Sequence, residues 1–418
     1  MSYTRSWSAE TFGLRIHDNA VEPATHRLSG LVQPGLRRNP RRAHLLVSTV
    51  LGKHLAVHPT IVRNSGRALG DLVLALGACD ADVLGMAETA TGLGHCVAER
   101  INAPTYLHST RRPTSAENVY AGFQEGHSHA TDHLLQPADP AVLSGRRPLV
   151  IVDDEITTGT TALAAIEALH RQLPRRRYIV ASLVDVRNRA HREFAKQSAQ
   201  AQGVTIDFVC LAGGTVSVPS SLVEEVQALP EPQFNPVHPD ASGECRTLSL
   251  SWPEDVPDGG RHGFLRTDST AFRDAVARAS AQIATLLDPD RPVLVVGHEE
   301  LMYLPLCIAE TLTGRGFSTR FQTTTRSPAV VVDVDGYPLR IGFEFTASEK
   351  VETGPRYLYN GWPGGVGANR PQLVLILDSL AAYRTDSLVA VLTAAGYDVI
   401  LAVVDSPSFS TLSTSRSR

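Results

Sequence analysis

Leu149-Val150-Ile151-Val152-Asp153-Asp154-Glu155-Ile156-Thr157-Thr158-Gly159-Thr160-Thr161 decides the fold. Its unbroken aliphatic run reads as a strand buried on both faces; a carboxylate pair closes it, and a Thr/Gly turn opens a helix over 162–170. In that turn, backbone N–H groups and threonine hydroxyls converge on a helix N-terminus, where the macrodipole and the unpaired donors favour an anion. Asp153 and Asp154 sit one step earlier, at the carboxyl end of the strand, placed to accept hydrogen bonds from two vicinal hydroxyls. A phosphate cup beside a diol grip describes a ribose 5-phosphate.

Three other readings compete. A Walker A loop fails because no Gly-Lys-Ser/Thr ends the turn. An acidic pair of the response-regulator kind would follow a first strand near a domain start and would lack the Thr/Gly cup. A turn with only a structural role is the third. At these residues the chain resembles the type I phosphoribosyltransferases, whose fingerprint is four hydrophobic residues, two acids and a Thr/Gly-rich loop before a helix. The resemblance implies an α/β fold with a mostly parallel, doubly wound sheet. It also implies that Asp153 and Asp154 hold the ribose hydroxyls of phosphoribosyl pyrophosphate (PRPP), that Thr157, Thr158, Gly159, Thr160 and Thr161 wrap the 5-phosphate, and that Mg2+ is held through PRPP with no direct protein ligand.

Working upstream, 82–94 reads as a short strand and a small-residue loop, Glu88-Thr89-Ala90-Thr91-Gly92-Leu93-Gly94, before a helix. In the resembled family this is the pyrophosphate loop. The strand 105–110 then delivers Arg111 and Arg112, and two guanidiniums suit a diphosphate unless they are a solvated pair. The stretch 123–133 carries Glu125, His127, His129 and His133. Its spacing lacks a helical register for metal ligation and no cysteine joins it. It stands where the family has a flexible loop that often uses lysine. Here the loop has no lysine, so a histidine contacts pyrophosphate or handles a proton, with a divalent-metal site or a solvated polar loop as alternatives. Further upstream, 43–54 shows helical spacing that ends at Lys53 and His54, and 1–40 reads as an extension that could cover a site.

Composition sets the frame. The 418 residues exceed one ordinary domain, and 43% hydrophobic with 20% charged residues is a globular balance. Thirty-nine basic against 43 acidic residues give a net charge of −4, which argues against a nucleic-acid partner. Cys79, Cys96, Cys210, Cys245 and Cys307 form neither a disulfide frame nor a zinc pattern. There is no signal-like N-terminus and no long apolar run, so a cytoplasmic protein without membrane contact is expected. Lysine occurs only at Lys53, Lys196 and Lys350.

Downstream, two further strands, Gly213-Gly214 and a Pro-rich stretch read as the end of a first domain, 1–235. The rest repeats the block order. Glu299 and Glu300 follow a strand as Glu88 does, Thr325-Arg326-Ser327-Pro328 parallels Thr110-Arg111-Arg112-Pro113, and Asp378-Ser379 stands where Asp153-Asp154 stood. The copy has lost its cup, since Ala382-Tyr383-Arg384 is bulky and lacks glycine. The Thr-Arg-Ser-Pro string resembles the signature of the TRSP domain that follows a phosphoribosyltransferase domain in a bacterial family associated with tellurite-resistance gene clusters. On that resemblance 236–405 is a degenerate phosphoribosyltransferase-like domain, with Glu299, Glu300, Arg326 and the Gly361–365 turn as candidate residues, and 406–418 is a mobile tail. The expected activity is Mg-dependent transfer of the 5-phosphoribosyl group from PRPP to an unidentified small, base-like acceptor, with release of pyrophosphate. A non-catalytic PRPP sensor is the alternative, the reverse reaction would use the same site, and a homodimer is compatible with the reading.

Overall fold

The computed structural model describes residues 6–18, 26–112, 119–124, 132–238, 242–349, 352, 354–361, 370–379 and 381–416. Five strands pair in parallel in the spatial order Thr105–His108, Asp82–Gly85, Leu149–Ile156, Arg177–Asp185, Thr205–Ser217. Two antiparallel edge strands, Arg15–Asp18 and Phe264–Leu265, complete a seven-stranded sheet. Chain order reverses between Asp82–Gly85 and Leu149–Ile156. Right-handed crossovers therefore send helix Ala90–Ile101 to one face and helices Thr160–Gln172 and Arg189–Gln202 to the other, leaving a crevice at the switch point. The quoted motif lies there, with Val150, Ile151 and Val152 fully buried as a strand covered on both faces requires.

The second half builds a five-stranded, wholly parallel sheet in the order Thr319–Thr323, Val293–Gly297, Gln372–Asp378, Val399–Val404, Cys245–Leu250. Its first four strands occupy the same relative places as their counterparts in the first half. The fifth place is taken by a strand that precedes them in the chain. Each half also carries an antiparallel hairpin, Ala121–Gln124 with Asp132–Leu135 and Gly342–Thr346 with Pro355–Tyr359. Each hairpin is tied back by an equivalent bridge, Thr110 to Leu134 and Thr325 to Tyr357. The duplicated block order is therefore a duplicated topology.

The halves share one core. Helix Ala90–Ile101 packs against its counterpart Tyr303–Gly314, with the His95 and Tyr303 rings stacked at 3.5 Å. Arg63 on helix Pro59–Ala75 bonds Glu310 across the boundary at 2.9 Å. Contacts at the seam are reciprocal: the Glu88 carboxylate accepts the Arg326 N–H at 3.2 Å, and the Glu300 carboxylate accepts the N–H of Arg111, the counterpart of Arg326, at 2.7 Å. Such exchange is the signature of an isologous, two-fold-like interface, here within one chain.

Four expectations change. The stretch 43–54 contains the strand His44–Ser48, paired with Val32–Leu36, because Leu45, Leu46 and Val47 are all buried between the first sheet and the second half. Gly213-Gly214 does not end the domain, since strand Thr205–Ser217 runs through both, pairing them with Asp185 and Asp18. The stretch 1–40 supplies an edge strand and half of a hairpin. Residues 406–418 include the helix Phe409–Arg416, with Leu412 buried and Arg416 bonding the Gly263 carbonyl at 2.7 Å.

Candidate active site

A cleft of about 610 Å3 opens at the switch point of the first sheet. The strand Leu149–Ile156 brings Asp153, Asp154 and Glu155 to its rim. Asp153 Oδ1 accepts the Asp154 N–H at 2.9 Å, which fixes one carboxylate beside the other. Burial pushes the Asp154 carboxyl above its ordinary value; Lys53 opposes and the adjacent Glu155 adds to the push. For Glu155 burial acts upward too, but Arg42, in direct ion pair, and Arg37 outweigh it and hold the carboxyl low.

The cup follows. Gly159 has φ +85°, the left-handed conformation that turns strand into helix Thr160–Gln172, and Thr157, Thr158 and Thr161 face the cleft. Thr160 instead starts the helix, donating its N–H to Thr158 Oγ1 at 3.3 Å. Helix α-amides here end on an open cavity, the arrangement that receives an anion. Gly159→Val forces a β-branched residue into that conformation and is expected to cost about 1–2 kcal/mol of stability. An unchanged urea midpoint would show that the turn is not held in this geometry.

The opposing loop is shorter than its sequence implies. Helix Ala90–Ile101 begins at Ala90, so only Met86, Ala87, Glu88 and Thr89 face the cleft. Ala90 starts the helix, and Thr91 and Gly92 belong to the seam instead: Thr91 Oγ1 donates to the Glu300 carbonyl at 2.9 Å, and a Cβ on Gly92 would stand 3.0 Å from Met302 Cβ. Lys53 Nζ reaches Thr89 Oγ1 at 2.6 Å, so the sole lysine of the first 195 residues stands in the cleft between the two loops.

Arg111 and Arg112 part company. Arg111 faces the cleft, 3.4 Å from His133 Nε2, and His133 in turn shares a 2.9 Å bond with Ser109 Oγ and stacks on Phe123. Arg112, only 3% exposed, turns the other way and pairs with Asp378 and, at 3.5 Å, with Glu349. It does not face the cleft, which corrects its expected diphosphate role. Glu125, His127 and His129 lie outside the described residues, as does the 362–365 part of the second-half turn.

The second half walls the cleft. Arg326 lies across Glu88 and donates to Glu299 at 2.5 Å and to Glu352 at 3.1 Å; Arg356 pairs with the same two acids. Glu299 is thus a buried anchor for two guanidiniums, and Glu300 a seam residue that also accepts the Thr110 hydroxyl at 2.6 Å. Sequence reading did not assign Arg37, Asn39, Arg42, Arg356 or Tyr357 to the site, and all five line it. Their only signal is the arginine cluster Arg37-Arg38 and Arg41-Arg42 flanking a turn.

Comparison with known proteins fits this arrangement. A phosphoribosyl transferase model matches residues 31–215, and the TRSP domain described as C-terminal to that transferase matches 258–408. The chain belongs to the phosphoribosyl transferase family that carries a C-terminal TRSP domain. No curated protein matches it. Among solved structures it is similar to adenine phosphoribosyltransferase from Rhodothermus marinus, 20% identical, covering 44% of this chain and 95% of that one with a TM-score of 0.31. The enzyme from Trypanosoma brucei, in complex with AMP, pyrophosphate and ribose-5-phosphate, is 13% identical, covering 46% and 87% with a TM-score of 0.34. That from Giardia lamblia is 15% identical, covering 43% and 94% with a TM-score of 0.32. The cleft thus lies in the transferase domain, and the TRSP domain provides its far wall. Among the described residues no helix is long and apolar enough to cross a membrane.

Proposed function

We propose that the cleft transfers the 5-phosphoribosyl group of PRPP to a small acceptor and releases pyrophosphate. The observation that carries this is the meeting of the Asp153-Asp154 pair and the Thr157–161 cup with the Glu88-Thr89 loop in one cavity. The cup takes the 5-phosphate through helix N–H groups and hydroxyls, and the two aspartates accept from the ribose hydroxyls. The diphosphate then falls between the Glu88-Thr89 loop, Lys53 and Arg111. Carboxylates at this rim suit a hard, oxygen-preferring cation, and Asp154, pushed up by burial and by Glu155, gains most from one; Asp153, Asp154 and Glu88 would then help hold Mg2+ against PRPP. When bound, that ion would neutralise charge on the departing diphosphate.

The reaction breaks the bond from the anomeric carbon to the diphosphate oxygen and forms one to the acceptor. Positive charge grows on the ring and negative charge on the leaving group, so cations fixed at the diphosphate act mainly on the transition state. Lys53 and Arg111 are the cations of this wall that the first half supplies. Lys53→Ala is expected to lower kcat/KM for PRPP roughly 10–100-fold, with Lys53→Arg recovering part of it. Equal kinetics for Lys53→Ala and the native protein would remove Lys53 from the mechanism.

The test of the whole reading is incubation with PRPP, Mg2+ and a metabolite extract, following pyrophosphate release and searching by mass spectrometry for a phosphoribosyl adduct. Tight PRPP binding without any adduct or pyrophosphate would convert the reading into that of a PRPP sensor.

A further inference from the structure

A second cavity, of about 280 Å3, opens at the carboxyl edge of the second sheet, where Asp378 and Ser379 end one strand and Glu300 follows its neighbour. This is the switch point of the TRSP domain, the place where open parallel sheets take ligands. The altered residues at 382–384 rule out a phosphate cup like that of the first half. The polar inventory of the cavity is nevertheless unbalanced.

Its carboxylates Asp378 and Glu300 are engaged, and a third, Asp258, raised by burial and then by Asp378, stands near Arg261 and Arg112. Asp378 pairs with Arg112 and accepts the Ala381 N–H at 2.8 Å; Glu300 accepts the Thr110 hydroxyl and the Arg111 N–H. Its donors are not. Arg112 Nε and Nη2, Arg261 Nε and Gln136 Nε2 are all buried without a hydrogen-bond partner, although Arg112 Nε stands 3.5 Å from Glu349 in an ion pair. Arg112 is 3% and Gln136 1% exposed. A buried donor left unpaired costs about 1–3 kcal/mol, so four at one cavity call for an acceptor-rich occupant. The two guanidiniums act on each other: Arg261 is depressed first by burial and then by Arg112, against the opposing pull of Glu300, Asp378 and Asp258. Arg112 is held above its ordinary value because Asp378, Glu300 and Glu349 outweigh its burial, so it is the charged form of Arg261 that an added anion would favour. Tyr303 and Phe409 add apolar walls.

We infer that this cavity binds a small metabolite through a carboxylate or phosphate group held between Arg112, Arg261 and Gln136. Planar forks on two sides suit either oxyanion. The site is separate from the PRPP cleft, divided from it by the Thr110-Arg111 backbone and the Glu300 side chain that bonds to both.

The test uses the full chain with Thr158→Asp, which places a carboxylate in the phosphate cup; binding at the remaining cations of the first cleft is told apart by its indifference to Arg261→Gln. Isothermal titration with inorganic phosphate, and separately with malonate, is expected to show one binding event for at least one of them. Phosphate alone would identify a phosphate-bearing ligand, and malonate alone a carboxylate. Adding Arg261→Gln should weaken that binding about tenfold or more, and Arg261→Lys less, with unfolding midpoints followed in parallel to separate lost binding from lost folding. Absence of heat with both probes, or binding indifferent to Arg261→Gln, overturns the inference. A cup variant that still binds PRPP as tightly as the native protein would instead count against the first cleft.

Discussion

Changing Asp153 and Asp154 together to asparagine is expected to lower PRPP-dependent pyrophosphate release by about three orders of magnitude. Two carboxylates that accept from the ribose hydroxyls become amides that offer a donor to one of them. The rim also loses the negative charge that would draw a divalent cation to the diphosphate. The fold should be untouched. The Oδ1 of an asparagine at 153 can accept the residue-154 N–H as the aspartate does, and burial together with Glu155 already disfavours the charged form of Asp154. Unfolding should therefore occur at the native urea midpoint or slightly above it while activity disappears. Wild-type pyrophosphate release from the double variant would overturn the assignment of the cleft.

The motif at 149–161 was legible because strand, acids and cup are contiguous, so their meeting needs no knowledge of tertiary structure. The duplication was legible for the same reason, as four local blocks recurring in order. What escaped was long-range. Lys53, Arg37 and Arg42 reach the cleft only because Val32–Leu36 and His44–Ser48 fold into a hairpin over it, and the apolar run 45–47 fits a strand and a helix equally well until its neighbours are known. The small residues Ala90–Gly94 looked like an anion loop but begin a helix, with Thr91 and Gly92 at the seam against Glu300 and Met302 and Gly94 close against Gly85 of the neighbouring strand. Arg111 and Arg112 illustrate a finer limit. Beyond a strand end, successive side chains point to opposite sides, so adjacent guanidiniums cannot both serve one ligand unless the chain turns.

That alternation puts one arginine at each cavity, Arg111 at the first cleft and Arg112 at the second. Glu88 and Glu300 exchange backbone contacts with Arg326 and Arg111 across a two-fold-like axis, and each half thereby holds the loop that frames the other. The TRSP domain acts as a built-in partner subunit: its own Asp378 is spent on Arg112, and its Arg326–Glu299–Arg356–Glu352 network forms a wall rather than a grip.

Arg112→Ala should therefore damage stability first. The substitution leaves Asp378, buried at 6% exposure, without its ion pair and takes from Glu349, at 5%, one of its partners while His298 and Arg356 remain; breaking a buried pair from one side costs about 3–5 kcal/mol. The sign with pH can be worked out. In the native protein burial works against the charged Asp378, but Arg112 and then Arg261 prevail and hold its carboxyl below the ordinary 3.8. The stabilisation is present above 3.8 and drains away as pH falls through the lower folded value. In the variant the uncompensated carboxyl is raised instead and takes up a proton readily, so its deficit relative to the native protein is greatest near neutrality and narrows toward about pH 4. Urea unfolding at both pH values reads this directly, and Arg112→Met with Asp378→Asn should restore part of the loss because no buried charge is left alone on that side. An Arg112→Ala protein with native stability and a PRPP defect of its own would return Arg112 to the diphosphate and refute its place in the seam.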